Sequence, residues 1–162
     1  VEQAGTYPLP EAQLDRFGIR LALGYVDAAA EERLLDYSAA HHPLDQLVPC
    51  ATVAGLLAAR DAAAAIPVAP VLRRYIVSLV QATRTHPAVQ MGASPRASMA
   101  IFQLARALAL FDGAAFVTPD SIQDIAPDVL AHRLALDSQA RYSGTTAAEV
   151  VREILARIPV PL

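Results

Sequence analysis

The chain contains no lysine; all 13 of its basic residues are arginine. A phosphate-binding loop of the GxxxxGK(S/T) kind needs a lysine ammonium at the terminal phosphates, so these residues hold no such loop. Cysteine is nearly absent, and Cys50 alone excludes a disulfide framework and a thiolate metal cluster. Long apolar runs are missing too. The stretch Ala62 to Leu72 is broken by Pro67 and Pro70 and stops at Arg73 and Arg74, short of the about 20 residues that a bilayer span requires. No signal peptide is visible. Clustered cations are lacking as well. The net charge is −3 with a pI near 5.7, and scattered arginines disfavour DNA or RNA binding. The expected location is cytoplasmic.

What remains is an apolar, alanine-rich composition. The 162 residues are 54% hydrophobic, enough for one domain with a short remnant of a neighbour. Alanine gives helix propensity and close packing more than large buried area, which predicts a mainly α body. The mean hydropathy of +0.34 implies at least one apolar face covered by something else.

The first two dozen residues differ from the rest. Pro8 and Pro10 hold an extended entry, and Glu11 to Phe17 would form about two helical turns. Ile19, Leu21 and Leu23 then alternate with Gly18, Arg20, Ala22 and Gly24, a period of two that predicts a strand needing a sheet from elsewhere. From Asp27 the pattern is helical. Asp27 caps a helix to about Ala40, stopped by His41, His42 and Pro43, and Thr52 caps another to about Ala65. Leu72, Tyr75, Ile76, Leu79 and Thr83 share one face of a helix to about Thr85. Ser94 caps the next helix and Pro95 takes its first position, with Ala97, Ile101, Leu104, Leu108 and Phe111 as its core stripe. Thr118 starts a helix that Pro127 kinks or restarts, continuing to about Leu136. Thr146 with Glu149 forms a capping box for the last helix.

Two arginines stand out. Arg16 follows Asp15 just before the alternating segment; from position alone, an exposed arginine paired with Asp15 or Glu11 is the simpler reading. Arg96 falls in the opening turn of its helix, where the dipole disfavours a cation. An anion would reverse that sign: free amides, the dipole and the guanidinium together would make a phosphate site. The alternative is that Arg96 leans into solvent.

GTYPLPEAQLDRF from Gly5 to Phe17 and GASPRAS from Gly92 to Ser98 resemble parts of MoxR-type ATPases of the AAA+ superfamily. APVLRRYIVSLVQATRTHPAV and VTPDSIQDIAPDVLAHRL extend the resemblance. It implies a C-terminal fragment beginning at Val1, just beyond the family's first sensor. The implied fold is a helical-bundle lid domain (26–162) behind a short remnant, helix and strand, of the α/β nucleotide-binding core (1–25). By the same resemblance Arg16 is an arginine finger acting on an adjacent subunit, with Glu11 and Asp15 either orienting it or facing that subunit. Arg96 is a second sensor in a nucleotide-binding segment with Ser94 and Pro95. The resemblance also implies ATP with magnesium in the intact protein and the chain's own N-terminal core as partner. A homo-oligomeric ring, by pattern a hexamer, and chaperone-like maturation of partner complexes follow, including partners with a von Willebrand A domain. The fragment alone is not expected to hydrolyse ATP.

Other candidates carry less. His41, His42, His86 and His132 lack ligand-spaced acidic or cysteine partners, so no metal site is expected. Ser94, Ser98 and Ser143 have no GxSxG setting. Arg73 and Arg74 are read as a solvated face, and Asp120 and Asp124 as ordinary helix-start acids. A helical protein-interaction adaptor with no nucleotide role is the competing reading.

Overall fold

The computed structural model describes residues 9–40, 44 and 47–161. The expected stop at His41, His42 and Pro43, and residues Gly5 to Pro8 of the first motif, lie outside the described residues. The described chain is mainly α-helical and divides into two units, Leu21–Ala59 on one side and Val1–Arg20 with Arg60–Leu162 on the other.

The smaller unit holds α2 (Ala28–Ala40) and most of α3 (Val53–Ala65). Their starts follow the expected capping. Asp27 Oδ1 accepts from the Ala30 amide at 2.7 Å, and Thr52 Oγ1 from the Gly55 amide at 3.0 Å. The alternation from Ile19 to Gly24 pairs with no strand among the described residues. Leu23 and Tyr25 are fully exposed, as expected of an extended segment with no sheet to join. Leu34, Leu35, Leu56 and Leu57 are exposed as well, consistent with the high hydropathy.

The larger unit begins with α1 (Glu11–Leu14), one turn rather than two. Its core lies among α4 (Pro70–Thr85), α5 (Pro95–Phe111), α6 (Pro119–Leu130) and α8 (Ala147–Arg157). All five apolar-face residues expected on α4 are buried, with Val80 beside them. The face that α5 buries is Ala97, Ile101, Ala105 and Ala109, stepping by four. The expected stripe drifts off it: Leu104 is half-buried and Phe111 is exposed. Small side chains on that face let α6 approach closely, and α6 answers with Ile122, Ala126, Val129 and Leu130. Burying a residue such as Leu79 completely contributes roughly 1.5–3 kcal/mol.

A single helix crosses Pro127, and α6 ends at Leu130 instead of continuing to Leu136. The hydrogen bond lost at the proline is offset by the apolar residues buried on either side of it. A 3₁₀ turn (Ala131–Arg133) leads into β2 (Ala135–Leu136), which pairs antiparallel with β1 (Val89–Met91), Val89 opposite Leu136 and Met91 opposite Ala135. Asp137 caps the short α7 (Ser138–Tyr142) through the Gln139 and Ala140 amides. The capping box of α8 is present, with Thr146 Oγ1 accepting from the Glu149 amide and the Glu149 carboxylate accepting from the Thr146 amide.

The segment joining β1 to α5 is pinned to the last turn of α4. The buried Thr83 hydroxyl donates to Val80 O at 2.6 Å and accepts from the Ala93 amide at 3.0 Å. Arg84 Nε donates to Ala93 O at 2.9 Å. Gly92 lies so close to Arg84 that a Cβ there would stand 2.7 Å from its Cα and its amide nitrogen. This close approach explains the glycine that opens GASPRAS and sets where α5 begins.

Candidate functional site

Arg16 sits on a tight turn at the end of α1, where the Arg16 and Phe17 amides donate to Gln13 O and Leu14 O. The carbonyls that follow are taken by Arg133, at the end of the 3₁₀ turn. Its Nη2 donates to Asp15 O at 3.3 Å and to Phe17 O, and its Nη1 to Gly18 O at 3.2 Å and to Val129 O. His132 stands beside it, with Nε2 3.1 Å from Phe17 O and Nδ1 3.0 Å from Asp128 O. The Arg20 amide donates to the same Asp128 carbonyl at 3.0 Å. The segment around Arg16 is thus laid on the carboxyl end of α6 by side chains more than a hundred residues away in sequence.

Asp15 is committed elsewhere than to Arg16. Its Oδ1 lies 3.3 Å from Arg133 Nε, an ion-pair distance without hydrogen-bond alignment, and the Arg133 side chain is only 2% exposed. Burial pushes the Arg133 pKa below its ordinary value, opposed by the nearby charge of Asp15. A guanidinium stays protonated under such a shift. The Ser94 hydroxyl donates to the same carboxylate, 2.9 and 2.8 Å from its two oxygens. It also accepts from the Arg96 amide at 3.1 Å as the cap of α5.

The opening turn of α5 therefore differs from the expectation of free amides. Pro95 has none, the Arg96 amide is on Ser94 Oγ, and the Ala97 amide is on Ser94 O. The anion nearest this helix start in the chain itself is the Asp15 carboxylate, hydrogen-bonded to its cap. What remains for an incoming anion is guanidinium charge. Arg16 and Arg96 are both exposed, and neither has an ion pair or a guanidinium hydrogen bond among the described residues. Both line one concavity of about 270 Å³, with Asp15, Gly18, Gln103 and Arg133. Glu11 is exposed on α1 and does not line it.

Chemically, the concavity offers two free guanidinium groups, and its one carboxylate is held by an arginine and a serine. That suits an anion with several oxygens, such as a phosphoryl group. It does not suit magnesium, because no acidic cluster is left free. Among the described residues no group of three His, Cys, Asp or Glu could hold a metal ion, and no single helix is long and apolar enough to cross a membrane. Cys50 is exposed, His86 pairs with Glu153 at 3.3 Å, and Arg73 Nε donates to Val68 O. Sequence reasoning missed Arg133. It lies inside the block VTPDSIQDIAPDVLAHRL, and no signal in the sequence marked it, because its partners include carbonyls 115, 116 and 118 residues away.

The chain is similar to several known proteins. The AAA lid domain family matches residues 81–154. The chain is 40% identical over 162 residues to the protein YeaC of Bacillus subtilis, covering all of this chain and 51% of that protein. It is 36% identical over 170 residues to the chaperone MoxR1 of Mycobacterium tuberculosis, covering 99% of this chain and 45% of that one. A crystal structure from Cytophaga hutchinsonii, provisionally described as an ATPase, superposes with a TM-score of 0.90 at 30% identity, over 100% of this chain and 52% of that one. The chain spans about half the length of the curated relatives it matches. Residues 81–154 thus match the AAA lid domain family, and the chain along its whole length is similar to about half of YeaC and of the chaperone MoxR1.

Proposed function

We propose that the chain is the C-terminal part of a MoxR-type AAA+ ATPase and supplies the responding half of a nucleotide site, with Arg16 as arginine finger and Arg96 as second sensor. One observation carries this reading. Arg16 and Arg96, far apart in sequence, line one concavity, their guanidinium groups without partners among the described residues, while Asp15, which could have neutralised Arg16, is held by Arg133 and Ser94. Two guanidinium groups converging on one place are suited to the charge that spreads over a phosphoryl group during transfer. Arg16 acts in trans, on the phosphoryl group of nucleotide held by a neighbouring subunit, and Arg96 senses a terminal phosphate.

In this reading residues 1–25 belong with the nucleotide-binding core and 26–162 form the lid. ATP and magnesium are bound by the chain's own N-terminal core, and the assembly is a homo-oligomeric ring, a hexamer. The lysine-bearing loop that cradles the phosphates is supplied by that core. Ser94 and Pro95 shape the start of α5, and the Ser94 hydroxyl contributes by holding Asp15 and the Arg96 amide. The work of the machine is chaperone-like maturation of partner complexes, a von Willebrand A domain protein among them.

The test is reconstitution. Mixing the folded chain with a separately made core domain should produce ATP hydrolysis, and Arg16→Ala or Arg96→Ala should abolish the gain. A well-folded pair that stays inactive would speak against the proposal. A second reading, a helical adaptor without nucleotide, draws support from the groove of Val77, Met99 and Phe102 flanked by Arg73 and Arg106. It predicts partner binding that survives both arginine substitutions.

A further inference from the structure

We propose that Arg133 and Asp15 form a positioning pair that fixes Arg16 and Arg96 in one arrangement. The proposal rests on the nucleotide role of those two arginines and adds how they are held. Arg133 is not a catalytic residue: it is buried, and its Nη donors are spent on backbone carbonyls. Those acceptors bracket Arg16. Asp15 O and Phe17 O are the carbonyls on either side of the finger, Gly18 O is the next, and Val129 O belongs to the last turn of α6. One planar guanidinium therefore ties the finger backbone to the end of a lid helix, where the dipole favours a cation. A lysine ammonium, with three donors on one atom, does not span that set.

The same pair reaches Arg96 by one further link. Asp15, held by Arg133, accepts from Ser94 Oγ, and Ser94 Oγ accepts from the amide of Arg96. Every link from Arg133 to Arg96 is a direct contact of 3.3 Å or less. The two arginines facing the concavity are thereby referenced to a common carboxylate, although separate elements carry them. Looseness at Asp15 would disturb both, Arg16 through its neighbouring backbone and Arg96 through the cap of its helix.

The test uses Asp15→Asn, which keeps size and one acceptor oxygen, and Arg133→Lys, which keeps the charge. In the 162-residue chain, either substitution should leave a cooperative thermal transition yet speed amide exchange at Arg16, Phe17 and Arg20 by about tenfold or more, the effect of losing a charge-assisted hydrogen bond. In the ATPase assembly, Asp15→Asn should lower kcat by about tenfold or more with KM for ATP changed less than about twofold, since a finger acts in the transition state. In an Arg16→Ala, Arg96→Ala background the same substitution should cost less than about twofold further, because a positioning residue has nothing left to position. Losses that multiply, a KM that rises as much as kcat falls, or unchanged exchange would each overturn the proposal. If Arg16→Ala alone leaves kcat intact, the finger reading itself fails and takes this inference with it. If removing both Arg16 and Arg96 is severe and Asp15→Asn merely adds to it, only the positioning pair is refuted.

Discussion

Replacing Gly92 by alanine tests whether packing, rather than chemistry, requires the glycine of GASPRAS. The added methyl would stand 2.7 Å from Arg84 Cα, 2.7 Å from its amide nitrogen and 2.8 Å from its Cγ. Two of these are backbone atoms inside the last turn of α4 and do not swing away as a side-chain tip would. Either α4 or the segment leading to α5 must shift, an overpacking that costs about 1–3 kcal/mol. For a chain of this size that corresponds to a fall in Tm of roughly 2–12 °C. Gly18 is the internal control. It lies beside the same concavity, its Cβ would meet nothing within 4 Å, and its backbone is not left-handed. Gly18→Ala should be neutral or stabilising by up to about 1 kcal/mol, because alanine restricts the unfolded chain. Urea unfolding of the two variants beside the parent measures both. Equal midpoints for Gly92→Ala and Gly18→Ala would refute the close-approach argument, and a loss confined to Gly18→Ala would invert it.

Three further outcomes follow from named contacts. Thr83→Val removes a buried hydroxyl and strands the Ala93 amide, so it should destabilise by about 1–3 kcal/mol in chemical denaturation despite equal volume. Arg16→Ala and Arg96→Ala, both on exposed side chains, should change stability by no more than about 0.5 kcal/mol, while Arg16→Ala lowers hydrolysis in the assembled ATPase by about a thousandfold or more. The hydrogen bonds that Thr146 gives Glu149 hold its carboxyl below the ordinary value of 4.5. A carboxyl with a depressed folded-state pKa stabilises the fold above its unfolded pKa and loses that contribution as pH falls through the folded value. The urea midpoint of Glu149→Gln should therefore lie below the parent's at neutral pH and converge with it in acid, as the pH falls through the lowered folded value; a gap constant with pH would count against the capping role.

Short-range chemistry was legible in the chain, and long-range chemistry was not. Asp27, Thr52, Ser94 and Thr146 cap helices because an acceptor two or three residues before the amides it satisfies is visible as a string. The face of α4 was readable because one stripe does all its packing. The face of α5 was misread by a fraction of a turn because alanine, not leucine, meets α6, and hydrophobic size does not rank alanine high. β1 and β2 are three and two residues long, below any period that a pattern could reveal. The alternation after Gly18 has the period of a strand but no partner within the described chain. In the site, both exposed arginines were found from motifs, whereas Arg133 was not, since its meaning lies in carbonyls 115 and 116 residues away.

The placement of Asp15 is what makes the arrangement coherent. A carboxylate adjacent to Arg16 is a hazard for the role proposed for it: if the two paired, the concavity would hold one free cation instead of two. Burying Arg133 against it removes that hazard, but not as a gain in stability. A buried ion pair roughly breaks even against apolar replacement, because desolvation cancels most of the attraction. The lowered pKa of Arg133 is the sign of that desolvation. Losing one partner is a different matter. Without Asp15 a buried guanidinium loses its counter-charge, and without Arg133 the carbonyls of Asp15, Phe17 and Gly18 lose their shared donor. The pair is therefore expensive to break and of little worth to the fold while intact, as expected of a group retained for the geometry it imposes on Arg16 and Arg96.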